Sequence, residues 1–183
     1  MQASKAGADA LITEEYRLMQ QELHKNTGYG QASVDLAPYV AEVIRRDRIE
    51  ELLDYGAGKG RLGEELEWLV PWPLRVHCYE PAVAEWSAAP QPCTFVACID
   101  VLEHIEPHLL PNVLDDLMRV TAATGLFTVA TGPAMKRLPD GRNAHLIQQA
   151  AGWWLPQILS RFELLRFVRA SYGFLIEVQR LPG

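Results

Sequence analysis

Short runs of consecutive apolar residues alternate along this chain with stretches whose apolar residues recur every three or four positions. The first stretch, ALITEEYRLMQQELHK, places Ile12, Tyr16, Met19 and Leu23 at helical spacing. NTGYGQAS breaks the pattern, and Leu36, Tyr39, Val40, Val43 and Ile44 then mark a second amphipathic helix that runs into the charged RRDR. From there the signals alternate. IEELLDY reads as a strand, RLGEELEWL as a helix with Leu62, Leu66 and Leu69 on one face, and LRVHCYE and TFVACID as two further strands. HLLPNVLDDLMRVTA follows as a helix, with Leu110, Val113, Leu114 and Leu117 inward and Pro111 tolerable only in its first turn. GLFTVAT is the next strand. GWWLPQILSRF is helical, with Pro156 arguing for a late start or a kink, and LLRFVRA and GFLIEVQRL close the chain as a hairpin around ASY.

Near-continuous apolar strands separated by amphipathic helices imply a mostly parallel α/β sheet covered on both faces, a three-layer α/β/α sandwich with a C-terminal antiparallel hairpin. In such a sheet ligands bind beyond the carboxyl ends of the strands, near the switch in strand order. That rule gathers four loops, 56–60, 80–81, 100–104 and 131–146. At 183 residues, with no repeat or linker, the chain is one domain. Residues 1–48 would form a helical cap, 49–183 the core, and about 132–150 an acceptor loop.

The first of those loops is rich in glycine: LLDYGAGKGRL carries Gly56, Gly58 and Gly60 between a strand and a helix. The amide donors and partial positive charge of the helix start suit an anion. Asp54, just before the turn, can hold a cation, and Glu80 ends the next strand where an acid commonly takes both ribose hydroxyls of an adenosine. A dinucleotide and an adenosine carrying an amino acid both fit this set. Spacing separates them: G-x-G-x-x-G would need glycine at Arg61, whereas the sequence reads G-x-G-x-G. A pyrophosphate would also meet Asp54, while the ammonium and sulfonium of S-adenosylmethionine tolerate an acid there.

With those residues in place, LLDYGAGKGRL resembles the first motif of class I S-adenosylmethionine-dependent methyltransferases, VHCYEP their second, and FVACIDVLEHI their fourth-strand motif. The likeness is good over about residues 50–131 and rests on element order beyond. It implies a Rossmann-like sheet of seven strands and S-adenosyl-L-methionine as cofactor. Asp54, Gly56 and Gly58 would shape the pocket for the methionine end, Glu80 would bind the ribose, Pro81 would lie beside the adenine, and Asp100, Val101 and Leu102 beneath the cofactor. PAVAEWSAAPQPCT is too short for the helix and strand that the family places there, so six strands are expected. Tyr29 in TGYG is a candidate to close over the cofactor, or an ordinary packed aromatic.

DVLEHIEPH sets Asp100, Glu103 and His104 on one face of a helical turn, and His145 follows the next strand, on the same side of the sheet. Methyl transfer is an in-line displacement dominated by positioning, and a hydroxyl acceptor must also lose a proton. His104 or His145 can take it near neutral pH, and Glu103 less readily. These three are the catalytic candidates; structural or pocket-lining roles remain open for each. Two histidines with carboxylates can also hold a divalent metal. D-x-x-E-H with a later histidine resembles the metal set of small-RNA 3′-terminal 2′-O-methyltransferases, which have glutamate where Asp100 stands.

Composition narrows the partners. A net charge of −6 disfavours loose binding to nucleic acid or acidic membranes. Lys136, Arg137 and Arg142 make one local basic patch, which can meet a phosphate or carboxylate or simply be solvated. Trp153 and Trp154 are either helix packing or an aromatic wall for the acceptor. No apolar run approaches the roughly 20 residues of a membrane span, and the first residues lack the basic start and apolar block of a signal peptide. Cytoplasmic placement is expected. Cys78, Cys93 and Cys98, unpaired by any C-x-x-C, are expected as reduced thiols. The reading that follows is a methyltransferase of a small-molecule acceptor, on oxygen rather than nitrogen. The alternatives are a nucleotide or nucleic-acid enzyme and a non-catalytic cofactor-binding subunit. An amino-methylating DNA enzyme is disfavoured, because ATGPA does not supply the [DNS]PP[YFW] tetrapeptide.

Overall fold

The computed structural model describes residues 10–25 and 31–181. Tyr29 lies outside the described residues. The elements run α1 (Glu14–His24), α2 (Ala32–Asp47), β1 (Glu51–Tyr55), α3 (Arg61–Leu69), β2 (Arg75–Tyr79), β3 (Cys93–Ile99), α4 (Leu110–Val120), β4 (Thr121–Ala130), α5 (Ala151–Leu159), β5 (Phe162–Arg169) and β6 (Gly173–Arg180).

The six strands form one sheet in the order β2-β1-β3-β4-β6-β5. The first four are parallel, and β6 pairs antiparallel with both β4 and β5. The short connection from β2 to β3 makes a single 3-10 turn, Ala84–Trp86, so β2 is left as an edge strand. Alternate residues of the central strands feed opposite cores. Leu53, Val96, Cys98 and Phe127 pack against α4 and α5, while Leu52, Phe95, Ala97 and Leu126 pack against α2 and α3. This is the three-layer arrangement, with α2 in the layer beside α3. The inward face of α4, Leu110, Val113, Leu114, Leu117 and Val120, is wholly buried. Each such side chain stabilises the fold by about 1.5–3 kcal/mol.

Several boundaries differ from the sequence pattern for local reasons. The hydroxyl of Thr13 accepts from the Tyr16 amide at 3.2 Å and caps α1, so Ile12 falls before the helix. The buried face of α1 is Tyr16 and Gln20, and Tyr39 of α2 is exposed. Helix α4 ends at Val120 and passes directly into β4, because Thr121 already pairs with Cys93 of β3. Helix α5 begins at Ala151, earlier than Pro156 suggested, and accommodates that proline within it. Phe162 belongs to β5, where its ring packs edge-on against Phe127 at 5.3 Å. Cys78, Cys93 and Cys98 are all free thiols.

Candidate active site

Strand β1 is flanked by β2 on one side and β3 on the other. The chain therefore leaves the ends of β1 and β3 in opposite directions, and a crevice opens between them. The glycine turn lies at its floor. The amides of Gly56 and Ala57 donate to the Tyr79 carbonyl at 2.8 and 2.9 Å, tying the turn to the end of β2. Gly56 has φ +81°, and a Cβ there would collide with the Val101 side chain. Glycine is required on both counts. Gly58 also has positive φ but faces open space.

The Glu80 carboxylate is held from both sides. Its Oε2 accepts from the Gly58 amide at 3.1 Å and its Oε1 from the Ala82 amide at 3.0 Å. Burial nevertheless raises its pKa, against the pull of those two amides. Asp54 is more extreme. It is 3% exposed, its Oδ2 meets no hydrogen-bond partner, and its pKa is pushed up to about 7 by burial and then by the nearby Glu80 charge. A buried carboxylate in that state suits a cationic guest. Asp54, Gly56, Gly58, Glu80, Pro81, Asp100, Val101, His104 and His145 all line one cavity of about 560 Å³. The four loops expected to converge do so around it.

Asp100 follows β3 with φ +59°, a left-handed conformation that costs a non-glycine residue about 1 kcal/mol or more. Its amide donates to Thr128 Oγ1 at 2.9 Å. His104 Nε2 lies 3.8 Å from Asp100 Oδ2, an ion-pair distance too long for a direct hydrogen bond. Both histidines rest on backbone carbonyls: His104 Nδ1 is 2.9 Å from the Ala144 oxygen and His145 Nδ1 is 2.7 Å from the Gly132 oxygen. A carbonyl only accepts, so each Nδ1 carries the hydrogen and each neutral ring keeps its lone pair on Nε2. Burial works against the His104 charge, but Asp100 and Glu103 outweigh it and the net shift is upward. For His145 burial wins, and its pKa is lowered. The rings meet edge-on at 4.8 Å. Candidate ligand atoms of Asp100, His104 and His145 lie within 4.8 Å of one another. A set of two imidazoles and a carboxylate suits a divalent transition metal.

Glu103 and Leu102 are placed differently from their neighbours. Both are fully buried beneath the cavity and do not line it. Glu103 Oε1 accepts from the Ala130 amide at the end of β4, and its backbone carbonyl accepts from the Ile147 amide at 3.0 Å. Burial, then the Asp100 charge, raises its pKa to about 8. Leu102 belongs to the core beneath α4 and α5. Trp154 is also core, and Trp153 is partly exposed on α5; neither reaches the cavity.

Helix α1 closes the other side. Glu106 receives the Thr13 amide at 2.9 Å and the Thr13 hydroxyl at 2.8 Å. Tyr16 donates its hydroxyl to the His104 carbonyl at 2.7 Å, and Gln20 donates to Tyr16. The loop after β4 is stapled by Asn143, whose side-chain oxygen accepts from the Ala134 and His145 amides, both at 2.9 Å. Tyr16, Gln20, His24, Lys59, Glu106 and Tyr172 line the cavity without having been singled out by the sequence. For Lys59 a signal existed, since it sits within the glycine turn, directly after the cavity-lining Gly58. The α1 contacts join residues far apart in the chain and leave no local pattern.

No family model matches the sequence, and no curated protein sequence matches it. Solved structures do match. One is the 1,6-didemethyltoxoflavin-N1-methyltransferase of Burkholderia thailandensis, bound to 1,6-didemethyltoxoflavin and S-adenosylhomocysteine. Its TM-score is 0.64 at 13% identity, over 97% of this chain and 94% of that one. The magnesium protoporphyrin IX methyltransferase of Synechocystis PCC 6803, with bound S-adenosylhomocysteine, matches with a TM-score of 0.57 at 14% identity over 95% and 90%. The mitomycin 7-O-methyltransferase matches with a TM-score of 0.66 at 14% identity, over 88% of this chain and 60% of that one. Across nearly its full length, then, this chain has the fold of the S-adenosylmethionine-dependent methyltransferases.

Proposed function

We propose that this protein transfers a methyl group from S-adenosylmethionine to a small-molecule acceptor, on oxygen in preference to nitrogen. The observation that carries the reading is the pairing of Asp54 with Glu80 at the strand-order switch. One is a buried carboxylate with an unpartnered oxygen, and the other a carboxylate fixed by the glycine turn. Asp54 would take the ammonium of the donor, Gly56 and Gly58 would let the methionine end approach the backbone, and Glu80 would take the ribose hydroxyls. Pro81 would lie beside the adenine, with Asp100 and Val101 beneath the cofactor and Leu102 supporting them from the core. When bound, S-adenosylmethionine supplies an electrophilic methyl on a sulfonium.

The chain's own contribution is positioning and proton handling. His145, with Nδ1–H committed to Gly132 and its pKa lowered, is neutral near pH 7 and has a lone pair for the proton of a hydroxyl acceptor. Asp100, paired with His104 beside it, supplies the negative charge that favours the imidazolium formed when His145 takes the proton, whereas a charged His104 opposes it. Glu103 acts through its neighbours, fixing the end of β4 by way of the Ala130 amide. Helix α1 and the loop 132–147 enclose the acceptor side. The solved relatives named above include enzymes whose names give both nitrogen and oxygen as the methylated atom. The histidine pair favours oxygen here, since an alcohol needs a base more than a neutral amine does.

Calorimetry of the purified protein tests the donor reading. Micromolar binding of S-adenosylhomocysteine is expected, and no binding of either S-adenosylmethionine or S-adenosylhomocysteine at millimolar concentration would overturn it. The convergence of Asp100, His104 and His145 favours one second reading, in which a divalent metal orients and acidifies the acceptor hydroxyl. Metal analysis of wild type beside His145→Ala separates the two. A metal that co-purifies with wild type and is lost in the variant supports the second, and metal-free protein unaffected by added manganese removes it.

A further inference from the structure

The cavity is lined by side chains of both charges. Asp54, Glu80 and Asp100 make its floor acidic, and the donor reading above uses all three. Basic side chains from three separate segments line it as well: the lysines Lys59 in the glycine turn and Lys136 in the loop after β4, and the imidazole of His24 at the end of α1. They sense one another. Burial lowers the pKa of Lys59, and the charges of Arg61 and Lys136 lower it further. Burial lowers that of His24, with Lys59 and His104 adding to the effect. Two other acids line the cavity. Glu106 has both oxygens engaged by Thr13, and Asp35 stands exposed on the first turn of α2.

The loop presents its cations selectively. Arg137 turns to the Gly141 carbonyl at 2.8 Å, and Arg142 pairs with Asp140 at 2.6 Å. Neither lines the cavity, whereas Lys136 does. The lysine is also set in register with the histidines. Its backbone carbonyl accepts from the Ala144 amide at 3.0 Å, and the Ala144 carbonyl holds His104 Nδ1. One rung of the loop therefore fixes both a cationic side chain and an imidazole.

We propose that the acceptor carries an anionic group, a carboxylate or a phosphate, received by Lys59 and Lys136, with His24 beside them, while its hydroxyl faces the histidine pair. The proposal rests on the methyl-transfer reading, and it narrows the substrate class to hydroxylated acids or phosphate esters. Lysines suit this task as point charges, tolerant of either anion.

The test uses the full-length protein and two titrations, S-adenosylhomocysteine and inorganic phosphate, on wild type and Lys136→Gln at constant ionic strength. Phosphate is expected to bind wild type saturated with S-adenosylhomocysteine, and to bind Lys136→Gln about tenfold more weakly, as loss of one charge-assisted hydrogen bond implies. The S-adenosylhomocysteine affinity should stay within about twofold, since a charge outside the donor's own contacts contributes little. A variant that loses donor affinity in parallel would assign the cations to the donor's carboxylate and overturn the proposal. So would phosphate binding that is absent from wild type or indifferent to the substitution. If wild type ignores S-adenosylhomocysteine but its phosphate binding still depends on Lys136, the methyl-transfer reading fails and the anion site stands. In turnover, 3-hydroxybenzoate should be preferred over its uncharged amide, 3-hydroxybenzamide, and Lys136→Gln should erase that preference.

Discussion

The half of the cavity assigned above to the donor is built from neighbours, and the half assigned to the acceptor from strangers. Between Asp54 and Ala82 the chain makes a strand, a glycine turn, a helix and a second strand. The contact that closes this half, Gly58 to Glu80, spans 22 residues. The acceptor half joins Thr13 to Glu106 across 93 residues, Tyr16 to His104 across 88, and His104 to Ala144 across 40. The first half is backbone geometry that tolerates little change. The second is a set of side-chain ties between elements far apart in the chain. Substitutions should therefore separate the halves by what they damage.

The largest effect is expected at Gly56. Gly56→Ala combines a positive φ with a collision against Val101, and should cost about 2–4 kcal/mol and abolish measurable S-adenosylhomocysteine binding. Thermal melting and calorimetry check this; a stable, binding-competent variant would mean that the turn relaxes more readily than its geometry implies. Next comes Asp54. Its folded pKa of about 7 lies above the ordinary carboxylate value of 3.8. The stability tied to its protonation is fully present below about pH 4 and is lost as pH rises through 7. Asp54→Asn should therefore gain on wild type between pH 5 and 8, by on the order of 2 kcal/mol without ligand. The same variant should bind S-adenosylhomocysteine more weakly at pH 8, where wild type has a charged partner for the ammonium. Melting curves across that range, with and without S-adenosylhomocysteine, read both signs. The smallest effect is expected in the acceptor half. Thr13→Ala removes the cap of α1 and one tie to Glu106, and should cost about 1 kcal/mol. Its affinity for S-adenosylhomocysteine should hardly change, which would confirm that the halves are separable.

The same contrast explains what could be seen in the sequence. The alternation of apolar runs with helical spacing located every strand and helix, and the shortness of 81–94 foretold six strands, because these are properties of contiguous residues. Asp54, the glycines and Glu80 stood out because one turn brings them together. Within DVLEHIEPH the pattern placed Asp100, Glu103 and His104 on one helical face. The chain instead breaks at Asp100 into a left-handed residue and a single 3-10 turn, Leu102–His104, which sends Asp100 and His104 into the cavity and Glu103 under it. A non-glycine residue at φ +59° is not visible in composition or spacing. The roles of Thr13, Tyr16 and Glu106 were hidden for a different reason. An ordinary helix cap and an ordinary acid acquire meaning only when the sheet brings them together. In the basic loop the sequence offered three cations without distinction. The hairpin geometry around Gly141 turns one inward and two outward.

The brevity of the 81–94 segment has a consequence at the margin of the sheet. Where another strand would have shielded it, β2 keeps one row of peptide groups without a neighbouring strand among the described residues. Its outer residues include Arg75 and His77, which reach across to Glu51 at 3.4 and 2.7 Å. Charge at such a margin discourages a second molecule from docking there by strand addition. The economy of fourteen residues thus comes with an obligation: the polar fringe on β2 must be kept if copies of the chain are to stay apart.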